Sequence, residues 1–366
     1  MAPVVLHLIS SLNVGGTERL LVWSVQCTAR DPERPYVVVL MNEGGEAGLI
    51  ADIEATGVPF YRFNRPEGHM HSKYLFNLLT IIDRHGVGVI HAHNEGSRFW
   101  GMLARALRPG LKLVYTVHSA GADIAYTGIK RALFRRCVDA VVAISPFVEE
   151  EVARLKPRRL ELIENGIRLD GFLALPVREP HDGPLRLVNV GRFIGFKGQH
   201  VLLEALRLCL DRGAEMTLTL AGVRSEAGYL ERLQAQAAEG PLAGRVRFVI
   251  DRTDTENILA EADVFVLSSL EESFGLVLIE AMAAGLTVVA TRAGGATGLV
   301  SDGETGVTVP PSDPEALAAA LMRLAGDAAL RRRLAANGRA FSHRYDVART
   351  VEAHWRLYRD LAGAKA

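Results

Sequence analysis

The sequence predicts an α/β protein of two doubly wound, Rossmann-like domains facing across a cleft. Three observations carry that expectation. Short β-branched runs alternate with amphipathic helical runs along nearly the whole chain. An irregular, proline-rich break interrupts the alternation near the middle. The chain has 366 residues, long for one α/β domain and comfortable for two.

The first half supplies strand candidates at Val4–Ile9, Tyr36–Met41, Val58–Phe63, Val87–Ala92, Leu113–Val117 and Ala140–Ile144. Helical stretches such as Thr17–Ala29 and Lys73–Arg84 lie between them. Near-continuous apolar runs such as VVVL and AVVAI suit strands of a parallel sheet buried on both faces. Pro176, Pro180, Gly183 and Pro184 mark the break, with 173–184 as the expected linker between a first domain, 1–172, and a second, 185–345. The alternation restarts with strands at Leu185–Val190, Thr217–Ala221, Val246–Ile250, Val264–Leu267 and Thr287–Ala290. Helices are expected near Gly198–Asp211, Ala227–Ala238, Gly275–Ala284, Pro314–Leu324 and Leu330–Phe341. A last one runs over Val347–Ala362. Ligands of doubly wound sheets sit at the carboxyl ends of the strands, so motifs there matter most.

Composition excludes several classes. Apolar residues make up 49%, enough for two cores, and 42 basic residues balance 42 acidic ones. Whole-chain charge therefore favours no particular partner. Cys27, Cys137 and Cys209 stand alone, without zinc-site spacing, which suits a reducing compartment. The amino-terminal run lacks a basic signal-peptide start, and the longest apolar stretch, Leu276–Thr291, contains Glu280 and is too short to span a bilayer. A cytoplasmic protein is expected, touching a membrane at most from its surface.

The segment EESFGLVLIE, Glu271–Glu280, follows a strand and enters a helix expected to begin near Phe274 or Gly275. A helix start offers open backbone N–H groups and a positive dipole end, a natural seat for phosphate. Gly275 lets a ligand approach the backbone. Glu272, before the helix, can accept from sugar hydroxyls, and Glu280, about a turn and a half in, can take both hydroxyls of a ribose. Glu280 lies in LVLIEAMAAG, where a carboxylate needs partners. The turn Gly191–Gly198, GRFIGFKG, places Arg192 and Lys197 among three glycines directly after a strand, a combination that suits a diphosphate. It is not a Walker loop, because no Ser or Thr follows the lysine.

In the first half, Asn13–Glu18, NVGGTE, could cradle phosphate through Gly15 and Gly16, or Thr17 could simply cap the helix. The dinucleotide spacing is missing, so a nicotinamide site lacks support. His118 ends the strand of LKLVYTVHS, where it could meet a sugar or steady developing charge. His91 and His93, in IHAHNEG, share one strand face, but no third metal ligand lies nearby in sequence. Acceptor-side or structural roles are expected there, with His93, Asn94 and Arg98 as acceptor-side candidates, and no metal. Acceptor choice is assigned to the loops Asn64–Ser72 and Asn94–Phe99. A basic stretch from Arg98 to Arg136, broken only by Asp123, includes KRALFRR, a candidate surface helix for anionic head groups or a solvated face. Interleaved aromatics are too few for a nucleic-acid partner.

In order, these pieces resemble glycosyltransferase family 4, retaining enzymes of the GT-B fold. NVGGTE looks like the family's first glycine loop, TVHS its strand-end histidine, and ISPFV and ENGI its mid-chain strand and turn. VGRFIGFKG resembles its diphosphate turn. EESFGLVLIEAMAAGLTVVAT resembles its Glu-x7-Glu motif, and AGGATGLVSDGETGVTVPPSDPEALA the segment after it. The resemblance covers nearly the whole chain. It implies that Arg192 and Lys197 neutralise the diphosphate and Glu280 holds the ribose. Glu272 and the N–H groups around Phe274, Gly275 and Leu276 would hold the donor sugar. His118 would lie beside that sugar and Gly16 near the diphosphate, and the last helix would return to the first domain. Three departures stand out: AGVRSE, with Arg224, replaces a glycine-rich turn, Ile250 stands where glycine is common, and Gly298 where glutamate is usual.

The function so implied is metal-independent transfer of a sugar, with retention, from a nucleotide-diphosphate sugar, UDP favoured over GDP. The acceptor would be a glycan, a lipid-linked glycan or a small molecule, with no cofactor. Rival expectations are a nucleotide-sugar 2-epimerase of the same fold, a natural-product glycosyltransferase, and a non-catalytic nucleotide-sugar-binding protein.

Overall fold

The computed structural model describes residues 2–119, 128–177, 181, 183–252 and 254–363. The chain divides into two units, Met1–Gly166 with Val347–Ala366, and Ile167–Asp346.

The first unit is built on seven parallel strands, β1 (Val4–Ile9), β2 (Tyr36–Asn42), β3 (Phe60–Arg65), β4 (Val87–Ala92), β5 (Lys112–Val117), β6 (Ala140–Ala143) and β7 (Leu160–Leu162). They are ordered β3-β2-β1-β4-β5-β6-β7. Helices α1 (Gly16–Thr28), α2 (Ala47–Glu54), α3 (Ser72–His85), α4 (Glu95–Leu107), α5 (Gly128–Cys137) and α6 (Pro146–Ala153) connect them. The central strands are apolar on both faces because helices cover both, as in Val37 to Leu40 of β2, all buried. The third strand lies two residues later than the expected Val58–Phe63.

The second unit holds α7 (Asp170–Leu173), β8 (Leu185–Val190), α8 (Gln199–Asp211), β9 (Met216–Gly222), α9 (Tyr229–Ala237), β10 (Val246–Ile250), α10 (Thr255–Ala260) and β11 (Val264–Leu267). It continues with α11 (Leu276–Ala283), β12 (Thr287–Thr291), β13 (Val307–Val309), α12 (Pro314–Gly326) and α13 (Ala328–Ser342). Its six parallel strands follow the order β10-β9-β8-β11-β12-β13. The division falls at Gly166, not in the expected linker 173–184. Residues 167–172 belong to the second unit because α7 packs there, with Phe172 buried and Arg339 of α13 donating to the Leu173 carbonyl.

Helix α14 (Val347–Ala362) then groups with the first unit. Its apolar stripe explains the return. Trp355 and Tyr358 are fully buried, and Trp355 stacks on Tyr36 at 5.2 Å between ring centroids. Burial of two such side chains stabilises this docking by about 3 kcal/mol each. At the crossing, Ile167 N–H donates to the Tyr345 carbonyl at 2.8 Å, so the outgoing and returning chain run side by side. No described helix is long and apolar enough to cross a membrane.

Candidate active site

In each sheet the strand order reverses once, between β1 and β4 and between β8 and β11. The helices leaving such neighbours turn to opposite faces, which opens the backbone at their carboxyl ends to a ligand. Most of the predicted site residues lie at or just beyond these two places, and His118 follows the neighbouring β5.

In the second unit the turn after β8 meets the loop after β11. Leu270 N–H donates to the Phe196 carbonyl at 2.7 Å, and Ser268 Oγ donates to the Lys197 carbonyl at 3.0 Å. The approach requires Gly198. Its φ is +66°, and a Cβ there would lie 2.0 Å from the Ser268 oxygen. The juxtaposition delivers Lys197 Nζ to Glu272 Oε2 at 2.6 Å, both side chains mostly buried. Ser269 Oγ donates to the same carboxylate at 3.3 Å, and the Glu272 carbonyl accepts from Gly295 N–H at 2.7 Å. Glu272 is therefore held by its own loop, by the turn after β8 and by the turn after β12.

Arg192 is exposed and, among the described residues, its guanidinium makes no ion pair. It lies 5.7 Å from the Phe196 ring centroid, as does Lys197 Nζ, so one aromatic ring supports both cations. Helix α11 starts at Leu276, and Gly275 is its cap residue, at φ +104° and without a side-chain cap bond. Leu278 N–H turns onto the Gly275 carbonyl at 2.9 Å, and the N–H groups of Leu276 and Val277 at the helix start are the ones suited to an anion. Phe274 is buried edge-on against Tyr345, so it can contribute only backbone to a ligand. Glu280 is buried, the fifth residue of α11, rather than a solvated side chain.

The departures in this unit have structural consequences. The turn AGVRSE after β9 brings the Glu226 carboxylate to Gly195 N–H at 2.7 Å, and Arg232 sits on its other oxygen at 3.0 Å. The hydrogen bond from Gly195, then Arg232, holds the Glu226 carboxyl below its ordinary range. Sequence reasoning missed Glu226. Its signal was a carboxylate two residues after the unexpected Arg224, which itself pairs loosely with Glu231 at 3.7 Å.

In the first unit, α1 begins at Gly16 with Gly15 as its cap residue and no side-chain cap. Thr17 therefore does not cap the helix, being its second residue. His118 follows β5 and is partly buried, its Nε2 without a partner among the described residues. Burial, and then His354, lowers its pKa to about 3, so it is a neutral hydrogen-bonding group at physiological pH.

The three acceptor-side candidates need correction. Asn94–Phe99 is not a loop, because Asn94 caps α4 in a reciprocal capping box with Ser97. Its Oδ1 also accepts from Ser10 Oγ at 2.7 Å, which joins the ends of β1 and β4. His93 and Arg98 are buried. Arg98 lies 4.6 Å from the Tyr115 ring and 5.7 Å from that of Phe134, so it packs inward. Much of the basic stretch is likewise engaged: Arg105 pairs with Asp139, Arg108 with Asp83, and Arg131 bonds two carbonyls. Asp123 and the Lys130 side chain lie outside the described residues.

Two α/β units of this order, one with a paired Lys and Glu at a glycine-led helix start, define a GT-B protein. The fold is shared with Anabaena HepE, whose crystal structure in complex with UDP and glucose superposes with a TM-score of 0.83 at 24% identity. That match covers 97% of this chain and 99% of the other. The family of glycosyl transferases group 1 matches residues 176–341, and glycosyltransferase family 4 matches residues 14–170. The lipopolysaccharide core biosynthesis glycosyltransferase LpsE of Rhizobium meliloti is 33% identical over 243 residues, 65% of this chain and 68% of that one. The phosphatidyl-myo-inositol mannosyltransferase of Mycolicibacterium smegmatis is 30% identical over 286 residues, 75% and 72% of the two chains. The chain belongs to glycosyltransferase family 4 and is a glycosyltransferase.

Proposed function

We propose that the protein moves a hexose, with retention, from a nucleotide-diphosphate sugar to a hydroxyl of a glycan or glycolipid at the cytoplasmic face of a membrane. UDP is favoured over GDP, and no metal is needed at the diphosphate. One observation carries the reading: the 2.6 Å pair of Lys197 and Glu272 directly before the uncapped start of α11. A lysine held there by one carboxylate has further N–H groups to offer an anion. Arg192 adds the fork, and the helix start adds backbone donors. Together they can stabilise the leaving diphosphate as the sugar–oxygen bond breaks. Glu272 is then placed to accept from hydroxyls of the departing sugar, and Glu280 to hold the ribose. The leaving phosphate oxygen can take the acceptor proton, so no side-chain nucleophile is required. Within the first unit, Gly15, Gly16 and neutral His118 are that unit's own candidates for a part in the reaction. The acceptor class follows the two relatives, whose names concern lipopolysaccharide core and phosphatidyl-inositol.

The test is ligand-induced thermal stabilisation by UDP, GDP, ADP and NAD, with and without EDTA, on wild type and Lys197→Ala, followed by product analysis. A shift with one nucleoside diphosphate, indifferent to EDTA and lost in Lys197→Ala, supports the reading. Near-wild-type turnover by Lys197→Ala would sink the diphosphate assignment. Conversion of donor alone into an isomeric donor would transfer it to the epimerase alternative.

A further inference from the structure

The first unit carries a cluster that sugar transfer does not use. His7 of β1 and His91 of β4 are direct register partners, and His93 follows two residues on, so all three rise from one sheet face. Nδ1 of His7 lies 2.9 Å from Nε2 of His93. One ring nitrogen from each of the three lies within 4.8 Å of the others. His118 stacks on His93 at 5.8 Å between centroids, and His354 of α14 lies 5.1 Å from His91.

A neutral imidazole has one N–H and one lone pair to place. His91 spends both nitrogens on hydroxyls, Tyr358 at 2.5 Å and Thr116 at 2.6 Å. His7 and His93 share one hydrogen bond. His7 Nε2, His93 Nδ1, His118 Nε2 and His354 Nε2 are buried and have no partner among the described residues. Ring packing against Tyr36 and Tyr358 accounts for the burial of such a stack but not for the convergence of three imidazoles with a ring nitrogen each inside 4.8 Å. Burial keeps His7 and His354 unprotonated at neutral pH, the form that ligates metals.

We propose that His7, His91 and His93 bind one borderline first-row divalent ion of the Zn²⁺ type, with His354 at hand to complete the shell. Zn–N bonds of about 2.05 Å at tetrahedral angles set ligand nitrogens about 3.3 Å apart, inside the span these rings already cover. Nitrogen ligands without a carboxylate disfavour Mg²⁺ and Ca²⁺. His91 could ligate through one nitrogen while the other keeps a hydroxyl partner, as an outer-shell acceptor. The third ligand that the sequence around His91 and His93 lacks arrives from β1. The ion would tie β1 to β4 beneath the switch point and stay apart from the diphosphate chemistry.

The test uses the untagged full chain, stripped with chelator and titrated with Co²⁺. One equivalent should bind saturably, with visible ligand-field bands that Zn²⁺ abolishes. His7→Asn and His93→Asn should each weaken binding at least about 100-fold, the upper range for loss of an outer-shell partner. His69→Asn, at an exposed position, should leave it unchanged. If the buried variants do not fold, X-ray absorption of the Zn²⁺-loaded wild type decides, and three or more imidazoles in the shell support the site. Fewer than three, the lack of saturable Co²⁺ binding, or undiminished binding in both folded variants overturns it.

Discussion

Acidification should unfold the first unit well before carboxylate titration does. In the folded chain, burial lowers His7 and His118 to about 3 and His354 to about 4. Unfolded, each returns to about 6.5. The unfolded chain therefore binds more protons between these values, and stability is full above the unfolded value and falls as the pH drops through it. At about pH 5 each of the three costs about 2 kcal/mol, together about 6 kcal/mol. His91 and His93 are lowered as well and act in the same direction. A loss of that size is comparable with the lower end of a typical domain stability of about 5–15 kcal/mol. The assay is selective because Trp23, Trp100 and Trp355, all the tryptophans, lie in the first unit. Urea melts followed by tryptophan fluorescence, with chelator present, should show the loss between about pH 7.5 and about pH 5. His354→Gln should shrink it by about 2 kcal/mol. A loss below about 1 kcal/mol in the wild type would refute the reasoning.

Two other perturbations address the second unit. Glu280→Gln keeps the shape but removes the charge of a buried carboxylate, and should raise the donor KM at least about tenfold while melting changes little; an unchanged KM would remove Glu280 from the ribose. Gly198→Ala forces a Cβ against the Ser268 carbonyl at a left-handed φ, and should cost more than about 2 kcal/mol and weaken nucleotide binding together. Wild-type urea midpoints in that variant would contradict the close approach described above.

The sequence made the class of fold readable because parallel strands buried on both faces leave dense apolar runs that little else produces. The candidate site of the second unit was also readable, since its residues sit in two short contiguous segments, Gly191–Gly198 and Glu271–Glu280. Short edge elements such as β7 and β13 were missed, being three residues each with too little pattern to see. Asn94–Phe99 was misjudged because Asn-Glu-Gly-Ser reads equally as a loop and as a cap with its first turn. The histidine cluster was half seen. His91 and His93 announced themselves by spacing, but His7 lies far away in the chain and only strand order makes them neighbours. A signal existed: doubly wound sheets set the first and fourth strands side by side, and His7 occupies the same face as Val5 and Ile9.

The return of α14 also sets a timetable for synthesis. Trp355 and Tyr358 fill the interior of the first unit, yet the ribosome makes them after every residue of the second. During translation the second unit has its whole complement of strands and helices while the first still lacks part of its apolar filling. The first-made unit is therefore the last to close, and a nascent chain shielded at that face awaits the arrival of its own tail.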